Sequence, residues 1–562
     1  MKQIFIKFSM LAAVAMLITA CSKDNNEDNT SEPVTSIKFN MSEAPYNDDV
    51  EMAGSRAAVT EIIKDTFDMG GIEAEVTLER DSEQPKQETR TITSGNHYTI
   101  VAFKAGTSIE AASTKGHFNA SGAFVYDTGV NPIQLAPANY DFVCYTHQYA
   151  TRSGNNIEIP LQHADKAFVC RQPNVTIANT KKQEIAFTMK HAGVRVRTKI
   201  MAFMVPTGIN ATLGYQANSV PASTVYDMTT GTFSASTTKS GDVEAKMQRF
   251  DTADTNFDSE LQDNLETVTG DNYLTVLAGT KPEELVYNIM GGTVYNKPLN
   301  TNGNRKLKAG NAFDANGAYT CTIRLLPTYV YLFEDGQTGR LKDSGRANHV
   351  PIALVYAPHK AIALWNFGGE GNTVDHWIRG YNYAQHNSSA MLNTVEDALN
   401  STTSGKVWTW ESYDSRHDGN PIIKANELAD FPVYYWAGKY YQDFYLSDRL
   451  IAKGKTLAPS LNKDEVWYLP SLSEWRDLFV KLGFGDVSSI PISYSGSWQG
   501  NMVNYAFKVA QGISITNSSK TYWSSSEESN SYVYYVTPSR YSMRFESKDK
   551  RDFMTIRAFV EF

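Results

Sequence analysis

The amino-acid sequence of 562 residues predicts a mainly β protein, in which β-sandwich domains are followed by an α+β region. Short runs rich in β-branched and aromatic residues recur at residues 98–103, 140–145 and 185–189, and clusters of Gly, Asn, Ser and Thr separate them. Long amphipathic helical patterns are absent from this part of the chain, which favours β-sandwiches. All nine tryptophans lie within residues 365–523, and this shift in composition predicts a domain boundary near residues 335–350.

Two further segments have clear periodicity. Residues 194–200 alternate apolar with cationic side chains, which predicts a strand with one buried face and one solvated face. A capping box begins at Ser471, and the apolar residues of 472–482 follow helical spacing, so a short amphipathic helix is expected there. Residues 532–536 and 554–560 have the composition of strands.

The N-terminal segment has the layout of an export signal. Lys2 and Lys7 flank the beginning of an apolar run that is too short to span a bilayer. The run ends in Ile18-Thr19-Ala20-Cys21, which resembles a bacterial lipobox. The resemblance implies a signal peptide over residues 1–21 and lipidation of Cys21, and the alternative is an ordinary cleavage site with an incidental cysteine.

Residues 22–56 are predicted to be a flexible tether and a leader that proteolysis can remove. Residues 22–28 are polar and acidic, so they cannot pack into a core. They are similar to the tag that directs some lipoproteins to the outer leaflet of the outer membrane, although a plain spacer would look the same. We therefore expect a surface-exposed protein that is attached to the outer membrane through its lipid.

Charge and cysteine content exclude several classes of function. The formal net charge is −9, which gives no electrostatic reason to bind nucleic acid. Beyond the lipobox, Cys144, Cys170 and Cys321 are odd in number and lie in apolar or β-rich surroundings. They are expected to be small core residues rather than a disulfide framework.

Residues 187–197, together with the lipobox and the strands near Tyr98 and Tyr140, resemble the fimbrillin family, the subunits of type V pili. The resemblance covers about residues 35–330. It implies two tandem transthyretin-like β-sandwiches, over residues 57–195 and 196–335. It also implies assembly with other pilus subunits by donor-strand exchange, which is a form of β-augmentation.

In that family a protease cuts after an arginine, and a neighbouring subunit then fills the emptied groove with its own strand. The candidate here is Arg56, followed by Ala57, in a polar stretch with small neighbours. The alternative is an ordinary loop arginine. The last residues, 556–562, match a closing strand without a further tail, which predicts a subunit at the tip of a fibre, although an anchor subunit would share this property.

Residues 467–475 and 522–527 resemble the FISUMP family, whose fold is related to C-type lectins. The resemblance implies a lectin-like α+β domain over residues 336–562. It names no ligand, because the triplets with which lectins hold calcium are missing. The related formylglycine-generating enzymes use a cysteine, and none follows Cys321, so that chemistry does not carry over.

No catalytic set can be assembled from the sequence, and we expect neither an enzyme nor a cofactor. The ten histidines are dispersed without zinc spacing, so no metal site is predicted. Aromatic rings stack on sugars and form binding hot spots, although such rings more often line a core. The candidates for contact with a glycan or protein ligand of the host or of other microbes are Trp408, Trp410, Tyr435, Trp436, Tyr440, Tyr441 and Trp498.

Together these features predict a tip adhesin of a fimbria. The alternative is a surface glycan-binding lipoprotein of a polysaccharide-uptake system, which needs exposed aromatic rings but no polymerisation.

Overall fold

The computed structural model describes residues 37–47, 63–81, 95–119, 122–179, 182–241, 244–250, 253–369, 374–379, 391–414, 421–488, 490, 494–516 and 520–562. The protein is mainly β, which confirms the predicted fold class. Cys21, Arg56 and Ala57 lie outside the described residues, and so does the predicted signal peptide. Within the described ranges, no helix has both the length and the hydropathy to cross a bilayer.

Seven of the first twelve strands build one sheet, called the first sheet, in the order β1-β11-β10-β7-β4-β5-β6. Here β1 is parallel to β11 and the other pairs are antiparallel. An isolated bridge from Asn40 to Ala123 brings β1 to the β6 edge, so the sheet curls towards a barrel. The bounds are β1 (Ile37–Glu43), β2 (Ile63–Asp68), β3 (Ile72–Arg80), β4 (His97–Lys104), β5 (Glu110–Phe118), β6 (Phe124–Tyr126), β7 (Ala138–Thr146), β8 (Thr151–Ser153), β9 (Asn156–Pro160), β10 (Phe168–Ile177), β11 (Gln183–His191) and β12 (Gly193–Ala202).

The next strands are β13 (Thr207–Tyr215), β14 (Ser223–Asp227), β15 (Thr232–Ala235), β16 (Glu244–Gln248), β17 (Ala253–Asp258), β18 (Asp263–Thr269), β19 (Leu274–Leu277), β20 (Leu285–Val294), β21 (Lys297–Pro298), β22 (Arg305–Lys306) and β23 (Ala318–Pro327). The second sheet has the order β17-β18-β12-β23-β3-β2, with β19 also paired to β12. It packs on the sheet β16-β13-β20-β21 around a common core. Strands β2 and β3 fall in the range predicted for the first sandwich, yet they belong to this second sheet.

A small sheet, β15-β14-β9-β8, covers the outer face of the first sheet. Ile157, Ile159 and Tyr226 of the small sheet pack with Val101 and Phe103 of β4 in one cluster. Strand β4 is therefore buried on both faces, and a strand buried on both faces is expected to carry a continuous apolar run. This explains why the run at residues 98–103 lacks polar alternation.

The C-terminal region contains two six-stranded sheets, β25-β24-β26-β27-β37-β31 and β28-β36-β33-β34-β35-β32, and a short pair β29-β30. Its strands are β24 (Tyr331–Phe333), β25 (Thr338–Gly339), β26 (Pro351–Ala357), β27 (Lys360–Ala363), β28 (Val374–His376), β29 (Tyr413–Asp414), β30 (Pro421–Ile422), β31 (Trp467–Tyr468), β32 (Ser495–Ser497), β33 (Tyr522–Glu527), β34 (Tyr532–Pro538), β35 (Ser542–Asp549), β36 (Phe553–Thr555) and β37 (Phe559–Glu561). Its helices are α1 (Val395–Asn400), α2 (Gly405–Trp410), α3 (Pro432–Gly438), α4 (Phe444–Ile451), α5 (Leu472–Gly483) and α6 (Gly500–Val509).

The helix predicted after Ser471 is confirmed as α5. The side chain of Ser471 accepts from the Glu474 amide at 3.3 Å, and the Glu474 carboxylate accepts from the Ser471 amide at 2.9 Å. The strand predicted over residues 554–560 is wrong in one respect, because it is two strands in different sheets. The chain crosses between them at Arg557, whose Nη2 donates to the carbonyl of Ile513 at 2.5 Å.

The solvated face predicted for residues 194–200 is also wrong. The strand is β12, which is paired on both sides, and its basic face is covered by residues from distant parts of the chain. The guanidinium of Arg195 lies 4.3 Å from the ring centroid of Tyr46 and 4.4 Å from that of Tyr273. Arg197 Nε lies 2.9 Å from an oxygen of Asp81. Cation–π contacts and an ion pair therefore replace water on this face.

Cys144 and Cys321 are buried, which confirms their predicted place in the core, while Cys170 is half-buried. Cys144 and Cys170 stand directly opposite each other in the register of β7 and β10 as free thiols. Burial raises the pKa of all three thiols, so the reactive thiolate form is disfavoured.

Candidate functional site

Strand β1 fills a groove between β11 and the β6 edge, and we call this position the β1 groove. The sequence of β1 alternates, so Ile37, Phe39 and Met41 face the interior and are buried. On the opposite face, Lys38 is exposed and lies 3.8 Å from Glu184 of β11. The strand thus has one apolar face, which packs into this groove, and one solvated face.

The floor of the β1 groove is aromatic. The ring of Phe39 lies 5.9 Å from Phe124, 6.2 Å from Phe142 and 5.8 Å from Phe187, measured between centroids. Offset and edge-to-face aromatic pairs of this kind add to the energy of apolar burial. Phe39 therefore contributes a large part of the contact between β1 and the rest of the first sheet.

The backbone of β1 is the principal partner of β11. The parallel register runs from Ile37 opposite Gln183 to Glu43 opposite Met189, whereas β10 pairs with only two residues of β11. On the other side, the hydroxyl of Tyr126 donates to the Ile37 carbonyl at 3.4 Å. If β1 leaves, β11 presents an unpaired edge above an apolar floor, which is the form that accepts an extended segment.

The residues directly after β1 tie the first sheet to the second. The side chain of Asn47 donates to the carbonyls of Asp81 and Ala318 at 3.1 and 3.0 Å, and accepts from the Ala318 amide at 2.8 Å. Tyr46 stacks on His191 with the ring centroids 4.0 Å apart. Asn47 has a positive φ of 60°, a conformation that asparagine tolerates better than most residues. We call residues 44–47 the joint.

Four of the seven aromatic candidates are core residues, which corrects their predicted place on a recognition surface. Trp408, Trp410, Tyr440 and Trp498 are all buried. Their polar atoms are used internally, since the Trp410 indole donates to the Trp467 carbonyl at 2.7 Å and the Trp498 indole donates to the Ser539 carbonyl at 2.8 Å.

The segment around these rings is helical, so its side chains do not alternate between two faces as they would in a strand. It forms α3, a 3-10 turn at Tyr440–Gln442 and α4. Tyr435, Trp436 and Tyr441 remain half-buried candidates. Trp436 stacks on Phe367 at 4.7 Å, so part of its ring is already covered.

A cavity of about 530 Å³ lies between the second sheet and the C-terminal region. Phe67, Tyr329 and Tyr505 line it, together with Arg324. The guanidinium of Arg324 is held by the carboxylates of Glu75, Asp258 and Glu260, so its charge is already compensated within the protein. The cavity has an apolar wall, and two further cations in its lining, Arg340 and Lys342, are paired with Asp68 and Glu73.

Two groups of possible metal ligands occur among the described residues. In one, Glu334, Asp335 and His349 meet, but Arg346 pairs with Asp335 at 2.8 Å and Lys455 lies 3.8 Å from Glu334. The negative charges of Asp335 and Glu334 are therefore already compensated by Arg346 and Lys455. The other group consists of His97, His117 and Asp127, and the sequence did not reveal it because its residues are distant in the chain.

The chain matches no protein-family model and no curated protein. Among solved structures, a fimbrial protein from Bacteroides ovatus is 13% identical and has a TM-score of 0.20, with 84% of this chain and 95% of that chain covered. A fimbrial protein from Bacteroides vulgatus is 13% identical, with a TM-score of 0.27 and coverage of 44% and 93%.

The tip fimbrial protein from Porphyromonas gingivalis, truncated at its C-terminus, is 12% identical, with a TM-score of 0.25 and coverage of 45% of this chain and 94% of that chain. With TM-scores this low, these likenesses carry no argument about this chain. What the chain itself presents is an apolar strand seated in an aromatic groove.

Proposed function

We propose that this protein is a non-enzymatic subunit of a surface fimbria. In this proposal the chain is exported and lipidated at Cys21, and a protease then cuts after Arg56. The leader that departs includes β1, and a strand of a neighbouring subunit takes its place in the β1 groove. The support comes from the sequence resemblance to fimbrillins together with the geometry of β1.

The observation that carries the proposal is the position of β1 in the chain and in the sheet. It precedes Arg56, and yet it supplies three side chains to the core, Ile37, Phe39 and Met41. Burial of one large apolar side chain is worth about 1.5–3 kcal/mol. A vacated groove would therefore expose an apolar surface whose refilling by another alternating strand is strongly favourable.

We further propose that the subunit stands at the tip of the fibre. The strand β37 near the C-terminus is paired with β27 on one side and β31 on the other, and Phe559 and Val560 are fully buried. Donating this strand would require the C-terminal sheet to open. The subunit would then accept a strand without offering β37, and the C-terminal region would face outward.

The cleavage step is tested with an arginine-specific protease on the purified full chain. We expect N-terminal sequencing to find a new start at Ala57. The matched control is Arg56→Lys, which keeps the charge but should resist this protease. The trimmed protein should bind a labelled peptide of residues 35–45, and a peptide with aspartate in place of Ile37, Phe39 and Met41 should not bind. A trimmed protein that binds neither peptide overturns the proposal.

The tip position has a separate test. Trimmed protein mixed with a polymerising fimbrial subunit should give fibres that carry one labelled copy at one end. Homopolymers of this protein, or labels along the whole fibre, would overturn the tip position while leaving strand acceptance intact.

The second function, glycan binding for polysaccharide uptake, is favoured by only one observation, the half-exposed rings of Tyr435, Trp436 and Tyr441. An untrimmed monomer that binds polysaccharide and never accepts a strand would point to this function.

A further inference from the structure

Three ionisable side chains converge at one end of the first sheet. His97 opens β4, and in the antiparallel register of β4 and β5 it stands directly opposite His117. Directly opposite residues of such a pair project from the same face, with their Cβ atoms about 4.5–5.5 Å apart. Asp127 follows β6, and its amide donates to the Lys115 carbonyl of β5 at 3.1 Å. Strand register thus brings together residues that are far apart in the sequence.

The distances between the ligand atoms suit a small metal ion. Nδ1 of His97 lies 3.0 Å from a carboxylate oxygen of Asp127, and Nδ1 of His117 lies 3.9 Å from the same oxygen. One ligand atom of each of the three residues lies within 4.8 Å of the others. Tetrahedral Zn²⁺ with bonds of about 2.0–2.1 Å separates its ligands by about 3.3 Å, between the two measured distances.

One of these ligand atoms is a buried nitrogen without a hydrogen bond. Nδ1 of His117 is buried and makes no hydrogen bond within the described part of the chain. Buried polar atoms in proteins are nearly always satisfied, so an unsatisfied one needs an explanation such as an ion. Among the common side chains imidazole nitrogen is a preferred ligand for zinc, and two imidazoles with one carboxylate form a recurring metal-binding set.

The surroundings hold the ligands in place at the protein surface. The side chain of Gln148 accepts from the His97 amide at 2.6 Å and donates to the Asn96 side chain at 3.2 Å, so the beginning of β4 is fixed. The side chains of His97, His117 and Asp127 are 45%, 41% and 27% exposed, so the cluster lies at the protein surface although Nδ1 of His117 itself is covered.

We propose that His97, His117 and Asp127 form a binding site for a divalent transition-metal ion, with Zn²⁺ as the best fit. The two Nδ1 atoms and the carboxylate supply three ligands, and water completes the tetrahedron. The ion joins β4 and β5 to the end of β6. Tyr126, the residue before Asp127, donates to β1, so the bound ion also stiffens the edge of the β1 groove.

The test uses untagged full-chain protein, stripped with a chelator, and titrates Zn²⁺ against a chromophoric competitor. We expect one equivalent to bind, and Co²⁺ in its place to give the intense visible spectrum of a tetrahedral site. His117→Ala and Asp127→Asn should each weaken binding by more than about 100-fold, which exceeds the roughly 10–100-fold loss that is typical when a residue hydrogen-bonded to a metal ligand is changed. The matched control is His359→Asn, because His359 is exposed, distant and has a positive φ that asparagine accepts.

The melting temperature of the metal-free protein is a second readout, which shows whether a variant is still folded. Without metal, the variants and the wild type should melt at the same temperature. Zn²⁺ should raise that temperature in wild type and in His359→Asn, but not in His117→Ala. Binding by wild type that is no tighter than binding by His117→Ala overturns the site. An equal loss of Zn²⁺ affinity in His359→Asn overturns the proposed site as well, since the ion would then bind elsewhere.

Discussion

Replacing Phe39 with alanine should loosen β1 without unfolding the rest of the protein. Phe39 is 1% exposed and contacts three other phenylalanines in the groove. Truncation of a buried phenylalanine to alanine costs about 3–5 kcal/mol, which combines the lost apolar burial with the cavity that remains. Since each 1.4 kcal/mol is a factor of ten, detachment of β1 should become about a hundred to a few thousand times more frequent.

Hydrogen exchange followed by mass spectrometry measures this detachment directly. Backbone amides of residues 37–43, and those of β11 that β1 protects, should exchange faster by about the same factor in the variant. Strands β34 and β35 in the C-terminal region should keep their protection, because they share no core with Phe39.

Lys38→Ala is the matched control on the other face of the same strand. Lys38 and Glu184 form an exposed ion pair, which is worth about 0–1 kcal/mol, so exchange should change by less than about sixfold. Unchanged exchange in Phe39→Ala, or equal effects of the two substitutions, would show that the apolar face does not hold β1. In that case β1 would not be a removable strand held by the aromatic groove.

Three further predictions concern the C-terminal core. Burial lowers the pKa of Lys424 to about 7, from 10.5 in the unfolded chain, so the unfolded state binds more protons between these values. The free energy of unfolding should therefore rise from pH 7 to pH 10 by up to about 1.4 kcal/mol per pH unit, and Lys424→Met should remove this rise in denaturant titrations. Glu527→Gln leaves the buried Lys550 without its partner and should lower the free energy of unfolding by about 3–5 kcal/mol, whereas loss of the exposed Lys548 should change it by less than about 1 kcal/mol. Glu474 is a buried carboxylate that accepts hydrogen bonds from side chains and backbone amides, and Glu474→Ala should cost more than about 2 kcal/mol in the same assay.

Local sequence was sufficient where local chemistry determines structure. The β-rich runs at residues 98–103 and 140–145 became β4 and β7, and the capping box at Ser471 began α5. The aromatic segment near Tyr440 was harder to interpret, because an apolar run fits a buried helix and a strand alike. Its helices bury Tyr440 against the carbonyl of Trp365, a contact 75 residues away that no local pattern contains.

Long-range register determined most of what the sequence did not reveal. His97 and His117 are opposite each other only because β4 and β5 pair with that register. Arg195 on the basic face of β12 is buried because Tyr46 and Tyr273, from distant segments of the chain, cover its guanidinium. Sequence spacing contains neither fact, since both follow from which strands become neighbours.

The joint affects how rigidly the first sheet is connected to the second. Asn47 lies four residues beyond β1 and ties that strand to the Asp81 and Ala318 backbone of the second sheet. An incoming strand that replaces β1 restores the apolar contacts, but it restores these polar ties only if it also carries an amide side chain at the matching place. Bending stiffness between the two sheets therefore depends on the occupant of the groove. Under the proposed strand exchange, the subunit would be rigid while it holds its own strand and would bend more easily once it holds the strand of a neighbour.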